Sequence, residues 1–275
     1  MKKLMAIVLC LSLALGCCGC GGGSSYRVKV VQTLVEQQYS LAFRTGDPTA
    51  EVVTAAIKTL MAEGKVDELA VKWFGERIVR FDSDVQALPK LLEERAARGE
   101  ELQPRDLIVG LDPNSFPMAY ATGSEYWGFD VELAIAVCER LGWTMKQQPI
   151  EKENVYVELS SGNIDVAWGG VALSQKELDE GLYEQFGPYV QNDIVVVARE
   201  GSLMNSRLSL HGKKMAMCST TEAMEALNSD EKLTRRLGQV TRLAGGTTEC
   251  FDYLYAGKCD AVLTDTTAMY YFNSH

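Results

Sequence analysis

Residues 107–142 read LIVGLDPNSFPMAYATGSEYWGFDVELAIAVCERLG, and this stretch decides the fold. An apolar run, Leu107, Ile108 and Val109, ends at Gly110-Leu111-Asp112 and gives way to the turn-rich Pro113-Asn114-Ser115-Phe116-Pro117-Met118. Gly128-Phe129-Asp130 then opens a helix in which Val131, Ala134, Ile135, Cys138 and Leu141 recur at the spacing of one buried face, with Gly142 as its stop. Strand, exposed loop and amphipathic helix in that order form one unit of an α/β sheet. Ligands of open α/β sheets sit at the carboxyl ends of strands, so residues 112–116 are the first place to look for a site.

Upstream, residues 28–31 and 39–43 read as short strands around the polar Glu36-Gln37-Gln38. Thr45-Gly46-Asp47-Pro48 is a turn with proline placed to start a helix, whose face is Val53, Ile57 and Leu60 and whose end is Gly64. A second helix carries Val66, Leu69, Ala70 and Trp73 and stops at Gly75; residues 84–101 are charged and helix-favouring, a largely solvated connector. Downstream, residues 144–148, 164–168, 194–198, 213–217, 240–244 and 261–263 have strand character with helical stretches between them. Ser174 with Glu177, and Ser219 with Glu222, each fit a capping box. Alternation at these lengths implies α/β sheets with parallel pairing.

With 275 residues, 47% of them hydrophobic, the chain can bury a substantial core and has room for two modest domains. The formal net charge of -10 argues against nucleic-acid binding and against adhesion of the folded part to anionic lipid. At the amino terminus, Lys2 and Lys3 precede an apolar run, residues 4–15, that is too short for an ordinary membrane span. Residues 1–16 therefore read as a signal peptide. Ala14-Leu15-Gly16-Cys17 resembles a bacterial lipobox, with Cys17 as the lipidated residue and Cys18 as an alternative, and residues 17–25 form a Gly-Ser-rich tether.

Of eight cysteines, Cys10, Cys17, Cys18 and Cys20 belong to this leader and anchor, leaving Cys138, Cys218, Cys250 and Cys259. None of the four has metal-ligand spacing, and with only His211 and His275 in the chain neither a zinc site nor histidine catalysis has much material. Spacing leaves a Cys250–Cys259 bridge open.

Five segments in order bear a resemblance to the first lobe of the extracellular solute-binding proteins that serve polar amino acid ABC importers. They are Ile108-Val109-Gly110-Leu111-Asp112, Phe116-Pro117-Met118, Gly128-Phe129-Asp130-Val131-Glu132-Leu133-Ala134, Ser161-Gly162-Asn163-Ile164-Asp165 and Gly187-Pro188-Tyr189. Leu210-His211-Gly212-Lys213-Lys214 and residues 257–265 resemble the second lobe. Residues 39–47, continuing to Lys72-Trp73-Phe74-Gly75, look like the family's carboxyl-terminal segment, yet here they precede the first lobe. The resemblance thus implies a two-lobed type II periplasmic-binding-protein fold, circularly permuted, each lobe a mixed sheet flanked by helices. Residues 26–38 fall to lobe 2, residues 39–195 to lobe 1 with a connector at 78–105, and residues 196–275 to lobe 2. A permuted monomer is the simplest account, and a swapped dimer is its rival.

Position by position, the resemblance implies that Asp265 accepts a ligand amine, that Asp112 lies near the cleft, and that Phe116, with Ser115 beside it, supplies the apolar wall. In the first-lobe loop Gly170 is a further candidate ligand-binding residue. The family's carboxylate-binding threonine and arginine are replaced by Ala172 and Glu177, a loss that typically removes ~2 to 5 kcal/mol of affinity. Lys152 stands where a cleft aromatic is frequent, and is read either as a replacement charge or as a surface lysine. Ser219 and Thr220 open a second-lobe helix whose N-terminus suits an anion, with Glu222 placed to occupy part of it.

The resulting expectation is a lipid-anchored, exported receptor that captures a small polar ligand, an amino acid or related amine, and hands it to the permease of an ABC importer. It needs no cofactor, metal or nucleic acid and performs no catalysis. The rivals are a sensor or degenerate binding module, and a dehydratase-like enzyme on the same scaffold, which would need a positioned acid or base.

Overall fold

The computed structural model of the chain describes residues 27–81, 86–173 and 175–275. The leader, its tether and Cys17 lie outside the described residues, as does Ser174 of the first capping box. Before the stretch at 107–142 come β1 (Val28–Val35), β2 (Gln38–Phe43), α1 (Pro48–Ala62), α2 (Lys65–Phe74) and α3 (Leu88–Ala97). That stretch forms β3 (Asp106–Leu111), the short strands β4 (Asn114–Ser115), β5 (Ala119–Thr122) and β6 (Glu125–Trp127), and α4 (Phe129–Leu141). Next come β7 (Thr144–Pro149), α5 (Val155–Ser161), β8 (Val166–Ala167), α6 (Gln175–Asp179), β9 (Glu184–Gln191) and β10 (Ile194–Arg199). The chain closes with β11 (Lys214–Cys218), α7 (Thr221–Ser229), α8 (Glu231–Thr234), β12 (Gln239–Leu243), α9 (Gly246–Tyr255), β13 (Ala261–Asp265) and α10 (Thr266–Ser274). Among the described residues no helix is long and apolar enough to cross a membrane.

Two five-stranded mixed sheets dominate. The first has the order β7-β3-β8-β2-β9 and the second β1-β10-β13-β11-β12. In the first, β3 runs parallel to β7 with Leu111 opposite Pro149, while β2 runs antiparallel to both β8 and β9. The early segment is therefore an interior part of the sheet that holds Ile108. Its helix α1 starts at Pro48 because Asp47 accepts a 2.8 Å bond from the Thr49 N–H, and α2 stops at Gly75, whose φ of 72° favours glycine. Tyr39, Leu41, Val53, Ile57, Trp73 and Phe74 share one core with Leu107, Val109 and Phe129. Phe74 and Phe129 meet at 5.1 Å between ring centroids.

The second sheet is covered on both faces, and β10 shows why its sequence is apolar at every position but the last. Ile194, Val196 and Ala198 enter one core and Val195 and Val197 the other. Asp265 ends β13 opposite Ile194. The chain passes between the sheets at Glu36 and Gln37 and again at Asn192 and Asp193. There the Asn192 N–H donates to the Gln37 carbonyl at 2.9 Å, and the Gln37 N–H donates to Asp193 Oδ1 at 3.2 Å. Beyond these crossings α10 packs on α2, with Trp73 and Tyr271 6.0 Å apart.

Two expectations change in detail. Ile135 is exposed, because α4 turns Phe129, Leu133, Val137 and Cys138 inward and Ile135 lies about 200° around the helix from Leu133. The connector is not simply solvated: Leu88 and Leu91 of α3 are buried against α1, along with Val79 and Phe81.

Candidate functional site

Strand register brings the polar residues together. Since β3 and β7 are parallel and end with Leu111 opposite Pro149, Asp112 and the turn at Lys152–Asn154 leave the first sheet at the same edge. Parallel β11 and β13, with Met217 opposite Leu263, likewise deliver Ser219, Thr220 and Asp265 to one edge of the second sheet. These edges bound a cavity of about 730 Å³. Its wall includes six carboxylate residues, Asp112, Glu151, Glu153, Glu158, Glu222 and Asp265, and one cationic residue, Lys152. A cavity of this size suits a small polar molecule.

Asp112 is pinned by its own turn. One oxygen accepts from the Asn114 N–H at 2.9 Å and from the Asn114 amide at 3.2 Å, and the other accepts from the Ser115 hydroxyl at 3.3 Å. That second oxygen also lies 3.5 Å from Lys152 Nζ, which donates to Glu222 Oε1 at 2.7 Å. The lysine side chain is only 18% exposed, so it is not a surface lysine, and its ammonium stands 5.9 Å from the centre of the Tyr39 ring. Burial favours the neutral amine, but Glu222 and Asp112 outweigh it and hold the pKa of Lys152 above its ordinary value.

Glu222 reaches Lys152 because it is not the partner in a box with Ser219. Thr220 is the N-cap of α7, its hydroxyl accepting from the Ala223 N–H at 3.3 Å. Asp265 holds the N-cap position of α10 but makes no side-chain capping bond. Its carboxyl lines the cavity instead. Burial, then the charges of Glu222 and Asp112, push its pKa up to about 7 against the pull of Lys152 and of the nearby Asn192 amide.

Ser115, Lys152, Ser219 and Thr220 thus join Asp112 and Asp265 around the cavity, whereas Phe116, Gly170, Ala172 and Glu177 do not line it. Phe116 packs edge-on against Tyr271 at 4.8 Å and near Phe272 at 5.7 Å. Gly170 has φ of 70°, and a Cβ there would meet Ser115 Cβ at 2.2 Å; its N–H donates to Asp130 Oδ2 at 3.1 Å. Ala172 faces a second hollow, of about 880 Å³, which shares Glu222 and Ile194 with the first. Glu177 accepts from the Tyr183 hydroxyl at 3.0 Å. Asn114 falls in the 112–116 stretch singled out as the first place to look, whereas Tyr39 and Glu158 are contributors that sequence reasoning missed, since nothing in their local pattern separates them from ordinary strand and helix positions.

Residues 107–241 match the family described as bacterial extracellular solute-binding proteins, family 3. Among curated proteins, the chain is 24% identical over 119 residues to the arginine-binding extracellular protein ArtP of Bacillus subtilis (strain 168), covering 43% of this chain and 46% of that one. It is 23% identical over 168 residues to the histidine-binding periplasmic protein of Salmonella typhimurium, covering 60% and 62%. The matches span about half to three fifths of the length of these relatives. Among solved structures, a polar amino acid ABC uptake transporter substrate binding protein from Streptococcus thermophilus is 26% identical with a TM-score of 0.45, covering 58% of this chain and 61% of that one.

Proposed function

With residues 107–241 belonging to family 3 of the bacterial extracellular solute-binding proteins, we propose that this chain is the ligand-capturing receptor of an ABC importer, specific for a small amine-bearing molecule such as an amino acid or related amine. The observation that carries the reading is Asp265: a half-buried carboxyl at a helix N-cap position that makes no capping bond and lines a cavity rich in acceptors. Lys152 supports it from within the chain, since its ammonium already rests between Asp112 and Glu222. The same carboxylates oppose a ligand carboxylate, and no arginine stands at 177 to offset them, so the amine is the group that the cavity rewards.

In this reading each sheet with its helices is a lobe of a type II binding-protein fold whose order is circularly permuted within a monomer; its boundaries fall slightly before the expected 38/39 and 195/196, because Gln38 already begins β2 and Ile194 and Val195 already belong to β10. The two crossings at Gln37 and Asn192 serve as its hinge, and closure of the lobes around the ligand is a shift between two states. The seating of β2 inside the first sheet supports the permuted order. Export through residues 1–16 and lipidation at Cys17 complete the proposal, keeping the receptor on the outer face of the cytoplasmic membrane beside its permease. Binding proceeds without catalysis, in keeping with relatives whose names are those of binding proteins.

Thermal unfolding with a panel of basic amino acids, diamines and polyamines tests this. An amine present at about 100 times its Kd stabilises by about 2.7 kcal/mol and raises Tm by several degrees. Stabilisation by simple anions alone would overturn the amine reading.

A further inference from the structure

Cys218 ends β11 at the cavity wall, one residue before Ser219, and Cys250 lies in α9, which packs on that strand. Their sulfur atoms are 3.5 Å apart, and Cys218 Sγ is also 3.5 Å from the Thr247 hydroxyl, another part of the wall. Cys250 is fully buried and Cys218 nearly so, but Cys218 borders the cavity, the side from which a small reagent approaches the pair. Sequence spacing leaves Cys250 open to Cys259, whereas tertiary packing sets it against Cys218. We propose that Cys218 and Cys250 are a redox modification site, joined as a disulfide in an oxidising compartment, where the bond fastens the Ser219-Thr220 wall of the cavity to α9.

The reaction needs only a small-molecule disulfide such as oxidised glutathione. The Cys218 thiolate attacks one of its sulfurs, breaking that S–S bond, forming a mixed disulfide and releasing one glutathione thiolate. Cys250, losing its proton, attacks the Cys218 sulfur and expels the second glutathione. Two protein thiols are oxidised, one glutathione disulfide is reduced to two thiols, and the two thiol protons go to the released glutathiones. Cys218 suits the attacking role because hydrogen bonding from Cys250, and then from Thr247, favours its thiolate and lowers its pKa. The occurrence of the bond in the cell rests on the proposed export, whereas its formation in a tube does not.

The experiment equilibrates the full chain with oxidised glutathione, alkylates remaining thiols and maps non-reduced peptides by mass spectrometry. The expected result is a linked pair containing Cys218 and Cys250, lighter by two hydrogens than the separate peptides. Oxidation should raise Tm by about 5 °C in the wild type and leave Cys250→Ser unmoved. Recovery of both residues as alkylated thiols, or a Cys250 peptide linked to Cys259, overturns the proposal. If Cys250→Ser does not fold, Cys218→Ser takes its place, and the wild-type map stands regardless. Amine binding is measured on the reduced chain, so failure of the disulfide and failure of the receptor reading are read separately.

Discussion

Asp265 is asked to satisfy opposed conditions: burial favours its neutral acid, and accepting a cation needs its carboxylate. In the folded chain its pKa is raised to about 7 from an ordinary value of 3.8. A group raised in this way contributes stability that is full below the unfolded pKa and is lost as pH rises through about 7. Ligand capture runs the other way, because an ammonium binds the ionised form. Affinity for an amine should therefore increase about tenfold between pH 6 and pH 8, the ionised fraction setting the apparent Kd. Calorimetry in buffers of different ionisation heat would also detect the proton released, and a flat profile with no proton release would remove Asp265 from the site. Asp130, in the first turn of α4 and also raised to about 7 by burial, accepts from Tyr189, Trp168 and Gly170; its titration adds to the loss of folded stability without touching the ligand.

Elements explain why these residues meet. The parallel pairing of β3 with β7, and of β11 with β13, puts four loop beginnings on two facing edges, and each helix that follows must leave its strand at a defined angle. Gly128 sets one such angle. At φ of 141° it lets α4 start beneath the 113–118 turn, where an added Cβ would lie 2.1 Å from the Met118 carbonyl oxygen. Gly128→Ala should destabilise the fold by about 2 to 4 kcal/mol, combining backbone strain with a clash against main chain that cannot swing aside. Urea unfolding would show this as a lower midpoint with unchanged slope; a midpoint within error of the wild type would show that the turn yields. The capping patterns were legible only in part. Thr220, one place later than the pattern implied, caps α7, and this frees Glu222 for Lys152.

For the molecule as a whole, the order of segments matters less than their contacts. The Val28 N–H donates to Asn273 Oδ1 at 2.8 Å, so the beginning and end of the described chain lie side by side on the second sheet. Gly99 and Glu100 are exposed beyond α3. A rearranged chain that begins at Glu100, joins His275 to Arg27 by a short Gly-Ser linker and ends at Gly99 keeps every strand pair of both sheets. It should fold with the same circular dichroism spectrum and bind the same amine within a few-fold of the original affinity. Failure to fold as a monomer under conditions where the original order folds would show that the early segment depends on its place in the chain.

Local chemistry written along the chain accounts for much of what was legible: the period of α4, Pro48 and Gly75 as helix punctuation, the apolar strands, and Asp112 and Asp265 at strand ends. Each depends on neighbours a few residues away, or on a motif that preserves such a neighbourhood. The pairing of Lys152 with Glu222, the removal of Phe116 to an aromatic cluster on α10, the exposure of Ile135 and the approach of Cys218 to Cys250 were not legible. The first two depend on how the two sheets present their edges and helices to each other, and the last two on how a helix packs on its own sheet. Contacts between residues tens of positions apart follow from packing in three dimensions, which no local period or spacing encodes.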